Sequence, residues 1–322
     1  MIEQVRTTSS ARRNGRNVAA HGEAHESIVR LVRGASIELP TRNLAEIDNC
    51  TRLLAPGSDV YVPCLPATTL HYILSVATRL RECGMNPVPH LAARGLATTA
   101  VAEGILARLR EQAGVTRVLL IAGDNKTAAG PFDSSLALLR TGLLQACGIS
   151  SVGVAGYPEG HRRISLQVMN ELLERKLEYA GAHGLDLFIA SQFCFDGGQV
   201  LDWLAQLRAR GIALPVRIGL AGPTIVRTLL KYGVRCGIGR SLSRVFGSNP
   251  VSMDRMLEWY GPENFVRLIA PSASKLGVAG LHFLPFGGFA RSAAWIDEVA
   301  AGRFELRKPE QGFALLEAHP AN

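Results

Sequence analysis

The chain has 322 residues and is 47% hydrophobic, 19% charged and 6% aromatic, enough apolar material for a large core and too little charge for disorder. Its formal charge of +8 comes from Lys and Arg scattered without a basic stripe or interleaved aromatics, which argues against nucleic acid and suits acidic small molecules or plain solubility. No apolar run approaches the roughly 18 residues that span a bilayer, no signal core opens the chain, and the six cysteines (Cys50, Cys64, Cys83, Cys147, Cys194, Cys236) form no CxxC pair, so the expectation is a cytoplasmic protein with reduced thiols and no membrane partner.

Residues 1–24 carry Arg, Ser, Thr and Asn without periodicity and read as a mobile basic tail ahead of one domain over residues 25–322. Ile28, Leu31 and Val32 then share one helical face before a glycine stop. From residue 35 onward, short apolar segments alternate with longer amphipathic ones. The segments at 35–39, 59–64, 87–92, 117–123, 151–157, 185–193, 215–221 and 280–286 read as eight strands. They are nearly continuous apolar runs, as in a parallel sheet buried on both faces. The intervening TTLHYILSVATRLRECG and TTAVAEGILARLREQAG have apolar residues at three- and four-residue steps and end in glycine, as helices do.

Eight β-to-α units predict an α/β protein with a single closed (β/α)8 TIM barrel, with extra helices near the N-terminus and in the long stretch before the last strand. An open doubly wound sheet is the competitor, and ELPTRN stands where its glycine fingerprint would follow the first strand.

In such a barrel the ligand site lies at the carboxyl ends of the strands. Those ends carry Glu38, Cys64, His90, Asp124, then Tyr157 with Glu159 and His161, then Gln192. Singly, each has a bland reading: a loop Glu, a hydrogen-bonded core His, an Asx turn at Asp124. Together at one end they describe a pocket with proton-handling groups. Glu38, at the end of a buried strand, is expected to be desolvated and so to have a raised pKa. The spacings HxH and HExxH are absent, so no metal site is expected, and no nucleophile elbow is present.

These strand ends resemble the methylenetetrahydrofolate reductase family over about residues 34–300: SIELPTR is similar to FEFFPPR, PHLAARG to HLTC, IAGDN to RGD, AGYPEGH to AAYPEVH and SQFCFD to TQFFFD, in the correct order. The resemblance implies a (β/α)8 oxidoreductase in which NAD(P)H reduces FAD and the flavin interconverts 5,10-methylenetetrahydrofolate and 5-methyltetrahydrofolate. It implies Glu38 as general acid, Asp124 as the acidic group beside flavin and pterin, and Gln192 as a substrate contact. His90, Asp124, Tyr157, His161, Arg175 and Lys176 match FAD-contacting positions, the last two through a one-residue gap. The implied partner is a small folate.

The chain departs from the pattern at Ala122 for the arginine of RGD, Asn170 for an acidic FAD contact, Leu284 for a tyrosine, and Gly288 for a substrate arginine, with Arg291 nearby out of register. A tetrahydrofolate-dependent demethylase or methyltransferase, or a non-catalytic folate- or flavin-binding relative, are the alternatives. A homo-oligomer is compatible with the sequence, which sets neither that state, nor NADH against NADPH, nor the favoured direction.

Overall fold

The computed structural model describes residues 21–39, 47–64, 68–236 and 253–316. The assigned tail up to residue 20, the PTR of the first motif, and the side chains of Cys50 and Cys236 lie outside the described residues. The helix α1 occupies residues 21–32. Helix therefore takes in residues 21–24, assigned to the tail from sequence. Its anchor is His25, whose ring stacks on Phe304 at 4.2 Å and whose Nε2 lies 3.2 Å from the Gly302 carbonyl. Ile28, Leu31 and Val32 are buried as their spacing predicts.

The barrel strands are β1 (Ser36–Glu38), β2 (Asp59–Val62), β3 (Asn86–Ala92), β4 (Arg117–Ile121), β5 (Ser151–Gly156), β6 (Asp186–Ser191), β7 (Val216–Ala221) and, after a short strand pair β8 (Thr224–Ile225) with β9 (Trp259–Tyr260), β10 (Val278–Leu284). They close in the order β1-β10-β7-β6-β5-β4-β3-β2, all parallel. All eight expected strands are present. The two-stranded pair β8–β9 and the hairpin of β11 (Phe304–Leu306) with β12 (Phe313–Leu315) have too few residues to show an alternating pattern.

The helices that return the chain include α3 (Leu70–Glu82), α4 (Thr99–Ala113), α7 (Leu166–Ala182) and α8 (Gly197–Ala209). Each begins on a side-chain cap: Thr69, Thr98, Ser165 and Asp196 accept from the backbone N–H of Tyr72, Val101, Val168 and Gln199. These caps follow the strand ends, so helix N-termini ring the same end of the barrel as the candidate residues.

Side chains inside the barrel stack in layers, because alternate residues of each strand point inward. At the amino end, Asp59 Oδ2 accepts from Arg117 Nη1 at 2.7 Å and Arg217 Nη2 at 2.8 Å. Above lies an apolar layer of Tyr61, Val88, Leu119, Phe188 and Ala190. Gly153 makes room for it: a Cβ there would stand 2.6 Å from Phe188 Cζ and 3.0 Å from Leu119 Cδ1. Gly153→Ala is therefore expected to cost about 1–3 kcal/mol by overpacking, read as a lower urea midpoint at unchanged slope.

Three seams of the barrel are short, β1–β10, β1–β2 and β6–β7, with two registered pairs each. Strands β6 and β7 pair only through Ile189↔Val216 and Ala190↔Arg217. Higher up, the Gly219 N–H donates instead to Ser191 Oγ at 2.9 Å, and a Cβ at Gly219 would lie 2.3 Å from the Ser191 carbonyl oxygen. Only glycine lets the two backbones pass this closely.

Candidate functional site at the carboxyl end of the barrel

Glu38 ends β1 and leans toward the barrel axis, where His282 of β10 meets it: Nε2 to Oε2 is 3.7 Å, an ion-pair separation longer than a hydrogen bond. The other ring nitrogen, Nδ1, is 3.0 Å from Ser36 Oγ. The Tyr61 ring packs 4.2 Å from the His282 ring and stands edge-on to His90 at 5.9 Å. The Tyr61 hydroxyl and His90 Nε2 are buried and have no hydrogen-bond partner among the described residues.

Burial sets the chemistry of this group unevenly. His90 is pushed down from 6.5 to about 4, chiefly by desolvation of its charged form. The Tyr61 hydroxyl is driven far up for the same reason. Glu38 corrects the sequence expectation: burial does push its carboxyl up, but the imidazoles of His282 and His90 outweigh that, and it is held below the ordinary 4.5. Periodicity reveals that Glu38 is at a strand end; it does not reveal that a histidine from the last strand faces it.

A pH prediction follows. Between about pH 6.5 and 4 the unfolded chain binds a proton at His90 that the folded chain refuses, so stability falls as pH drops through that window, on the order of 1 kcal/mol per pH unit. His90→Gln should flatten this slope in urea midpoints measured across the window. An equal slope in the variant would contradict a buried, neutral His90.

A second group forms the rim from β2 to β6. Tyr157 follows β5, and its hydroxyl is pushed up by burial and further by the charge of Asp124, three residues past the end of β4. Asp124 likewise adds to the upward push that burial gives Cys64. Asp124 itself is exposed. His161 stands edge-on to Tyr157 at 5.0 Å, and its Nδ1 accepts from the Arg163 N–H at 3.2 Å. The Gln192 N–H donates to the Gly156 carbonyl at 2.7 Å, which carries the β5–β6 ladder to the rim and sets Gln192 beside Tyr157.

Arg175 and Lys176 sit apart from both groups on α7. Arg175 is exposed. Lys176 is half-buried, and desolvation brings its ammonium down to about 8. Asn170, on the same helix, accepts from Arg210.

The departures noted in the sequence also have a structural form. Leu284, which ends β10, and Phe286 just beyond it join an apolar cluster with Phe193, Phe195, Ala221 and Leu229, and the Phe286 ring stacks on Tyr232 at 4.2 Å. Arg291 lies over the Trp259 ring at 4.3 Å and donates to the Gly287 carbonyl at 3.0 Å.

Sequence reasoning missed His282, Ser36 and Tyr61. Ser36 and Tyr61 could have been found by stepping two residues at a time, back along β1 from Glu38 and on along β2 from Asp59. Among the described residues no three His, Cys, Asp or Glu side chains are grouped to hold a metal, and no helix is long and apolar enough to cross a membrane.

A closed parallel barrel with proton-handling and polar side chains gathered at the carboxyl ends of its strands defines the (β/α)8 class of protein, in which ligand sites lie at that end. The model of one family, methylenetetrahydrofolate reductase, matches residues 64–286. The chain belongs to the methylenetetrahydrofolate reductase family. Among solved structures, an uncharacterized protein from Clostridium thermocellum that binds two copies of 5-methyl-5,6,7,8-tetrahydrofolic acid shares the fold, with a TM-score of 0.53 at 12% identity over 81% of this chain and 94% of that one.

Proposed function

We propose that the protein is an oxidoreductase that interconverts 5,10-methylenetetrahydrofolate and 5-methyltetrahydrofolate, with NAD(P)H as hydride source and FAD as relay. The observation that carries this reading is the meeting of Glu38, His282 and His90 at the mouth of a barrel of this family. Folate as ligand draws further support from the Clostridium thermocellum protein of the same fold, which binds a methylated tetrahydrofolate.

In this reading Glu38 donates a proton to a folate nitrogen as the five-membered ring of the substrate opens. Its side chain is 22% exposed. A flat ring laid over the mouth excludes the water that now reaches it, and this desolvation moves the carboxyl upward, toward a protonated form. Gln192 and Asp124 on the rim are of the types that pair with the amide-like edges of a pterin.

The described residues suit FAD. His90 Nε2 and Arg94 Nε are buried nitrogens without a partner among them, and Lys176 is a half-buried cation with no carboxylate within 4 Å among the ion pairs of the described residues. The short helix α5 (Ser135–Leu139) touches both the turn bearing Arg94 and α7. Such a donor set fits an acceptor-rich anion such as a pyrophosphate. His90, Tyr157, His161, Arg175 and Lys176 would hold FAD, and the bound flavin would supply the hydride chemistry.

A second reading, folate binding without turnover, is favoured by the apolar packing of Leu284 and Phe286 where the family carries a tyrosine and an arginine nearby. One experiment separates them. The absorption spectrum of the untreated protein and its titration with FAD are followed by NAD(P)H oxidation with methylenetetrahydrofolate. Flavin binding with folate-dependent oxidation supports the reductase. Folate binding with no turnover under any nicotinamide overturns it.

A further inference from the structure

This inference rests on the proposed reaction and concerns how Glu38 comes to hold a proton. Ser36 is fully buried, His282 nearly so, and both point into the same space as Glu38. The Ser36 hydroxyl has one hydrogen and two neighbours: the Leu281 carbonyl oxygen at 3.3 Å and His282 Nδ1 at 3.0 Å. A carbonyl oxygen only accepts, so that contact is a hydrogen bond only when the hydroxyl hydrogen points there. In that arrangement Nδ1 brings its own hydrogen to the serine oxygen. In a neutral imidazole this leaves Nε2 bare, facing a carboxylate oxygen 3.7 Å away. Two acceptors pointed at each other repel, and a single proton between them removes the conflict.

We propose that Ser36, His282 and Glu38 form one unit in which Ser36 fixes the imidazole tautomer and His282 shares one proton with Glu38, which makes His282 the positioning residue for proton donation by Glu38. With that proton the pair has no net charge, whether written as carboxylic acid and imidazole or as carboxylate and imidazolium, and a buried pair avoids the cost of a lone charge.

The surroundings favour release on demand. The groups facing the pair are His90 of β3, neutral above about pH 4, and Tyr61 of β2, uncharged and packed on the His282 ring. One layer below, two guanidiniums, Arg117 and Arg217, share the single carboxylate of Asp59. That layer carries an excess positive charge and acts on Tyr61; the carboxylate left when the proton departs is stabilised by His282 and His90. In the step itself an N–H bond forms on the folate, the O–H or N–H bond of the pair breaks, and the pair goes from neutral to one negative charge. No electrons move, and water returns the proton afterwards.

The test needs no activity. Nitrogen NMR of the full chain labelled with ¹⁵N-histidine, without ligand, reads which ring nitrogen of His282 carries hydrogen, with His282→Gln used for assignment. The expected result is hydrogen on Nδ1 throughout about pH 6–8. Glu38→Gln removes the carboxylate that shares the proton and should change the pH course of the His282 nitrogen signals. Ser36→Ala should let the other tautomer appear. A bare Nδ1 in the native protein, or a pH course identical in Glu38→Gln, overturns the proposal. Should His282→Gln fail to fold, the signal that alone responds to both Ser36→Ala and Glu38→Gln identifies the ring.

The kinetic counterpart is a roughly 10- to 100-fold lower kcat in His282→Gln with KM for folate nearly unchanged and the acid limb of the pH profile displaced. Absence of turnover in the native protein beside the expected NMR result would sink the reductase reading alone. Turnover beside a tautomer indifferent to Glu38 would sink this one alone.

Discussion

Glu38→Gln is expected to lower the folate reaction by about 10²–10⁴-fold, the usual contribution of a positioned general acid, while reduction of added flavin by NAD(P)H stays within about twofold. The two half-reactions separate because Glu38 lies inside the mouth against His282 and His90, while the donors suited to FAD extend toward α7. The amide is nearly isosteric with the carboxyl, so the fold is expected to tolerate the exchange. Stopped-flow absorbance for flavin and product formation for folate give both numbers on one preparation. Folate turnover preserved in the variant would remove Glu38 from the chemistry and with it the assignment of the site.

The largest effect on stability is expected at the other end of the barrel. Asp59 is 11% exposed, and its Oδ2 serves Arg217, 17% exposed, and Arg117, 39% exposed. Arg217 also reaches the Gly34 carbonyl at 3.3 Å, and Arg117 lies over the Phe188 ring at 5.8 Å. Asp59→Ala strips two guanidiniums of their shared counter-charge. Removing one partner of a buried pair costs about 3–5 kcal/mol, and the exposure of Arg117 places the expected loss near the lower end, about 3 kcal/mol. Set against about 5–15 kcal/mol for a whole domain, that is a large share. Urea unfolding at neutral pH measures it, and a loss under about 1 kcal/mol would show that water already solvates the arginines.

The barrel was legible because each strand is a near-continuous apolar run and each helix a periodic one. Glu38, His90, Asp124, Tyr157 and Gln192 could be put at one end because parallel strands have one carboxyl end in common. Distance between strands was not legible. Strand β10 closes on β1 across more than 200 residues of chain, with Ser36 opposite His282, and no local pattern announces that neighbour. The inverted direction of the Glu38 shift has this cause: desolvation follows from a buried strand, whereas the opposing imidazole follows only from closure. The β11–β12 hairpin escaped for a different reason, since three residues per strand hold barely one alternation.

The interruption between β6 and β7 has a mechanical meaning. Two neighbouring seams are long, with six registered pairs from Ser151↔Asp186 to Gly156↔Ser191 and six from Val278↔Val216 to Leu284↔Ala221, whereas both seams of β1 hold two pairs each. Between β6 and β7 a serine hydroxyl stands in for the ladder. A guest pressing on the rim at Gln192 therefore meets a seam tied by a side-chain hydroxyl in place of a backbone ladder, and the cylinder can spread there to admit a broad ring.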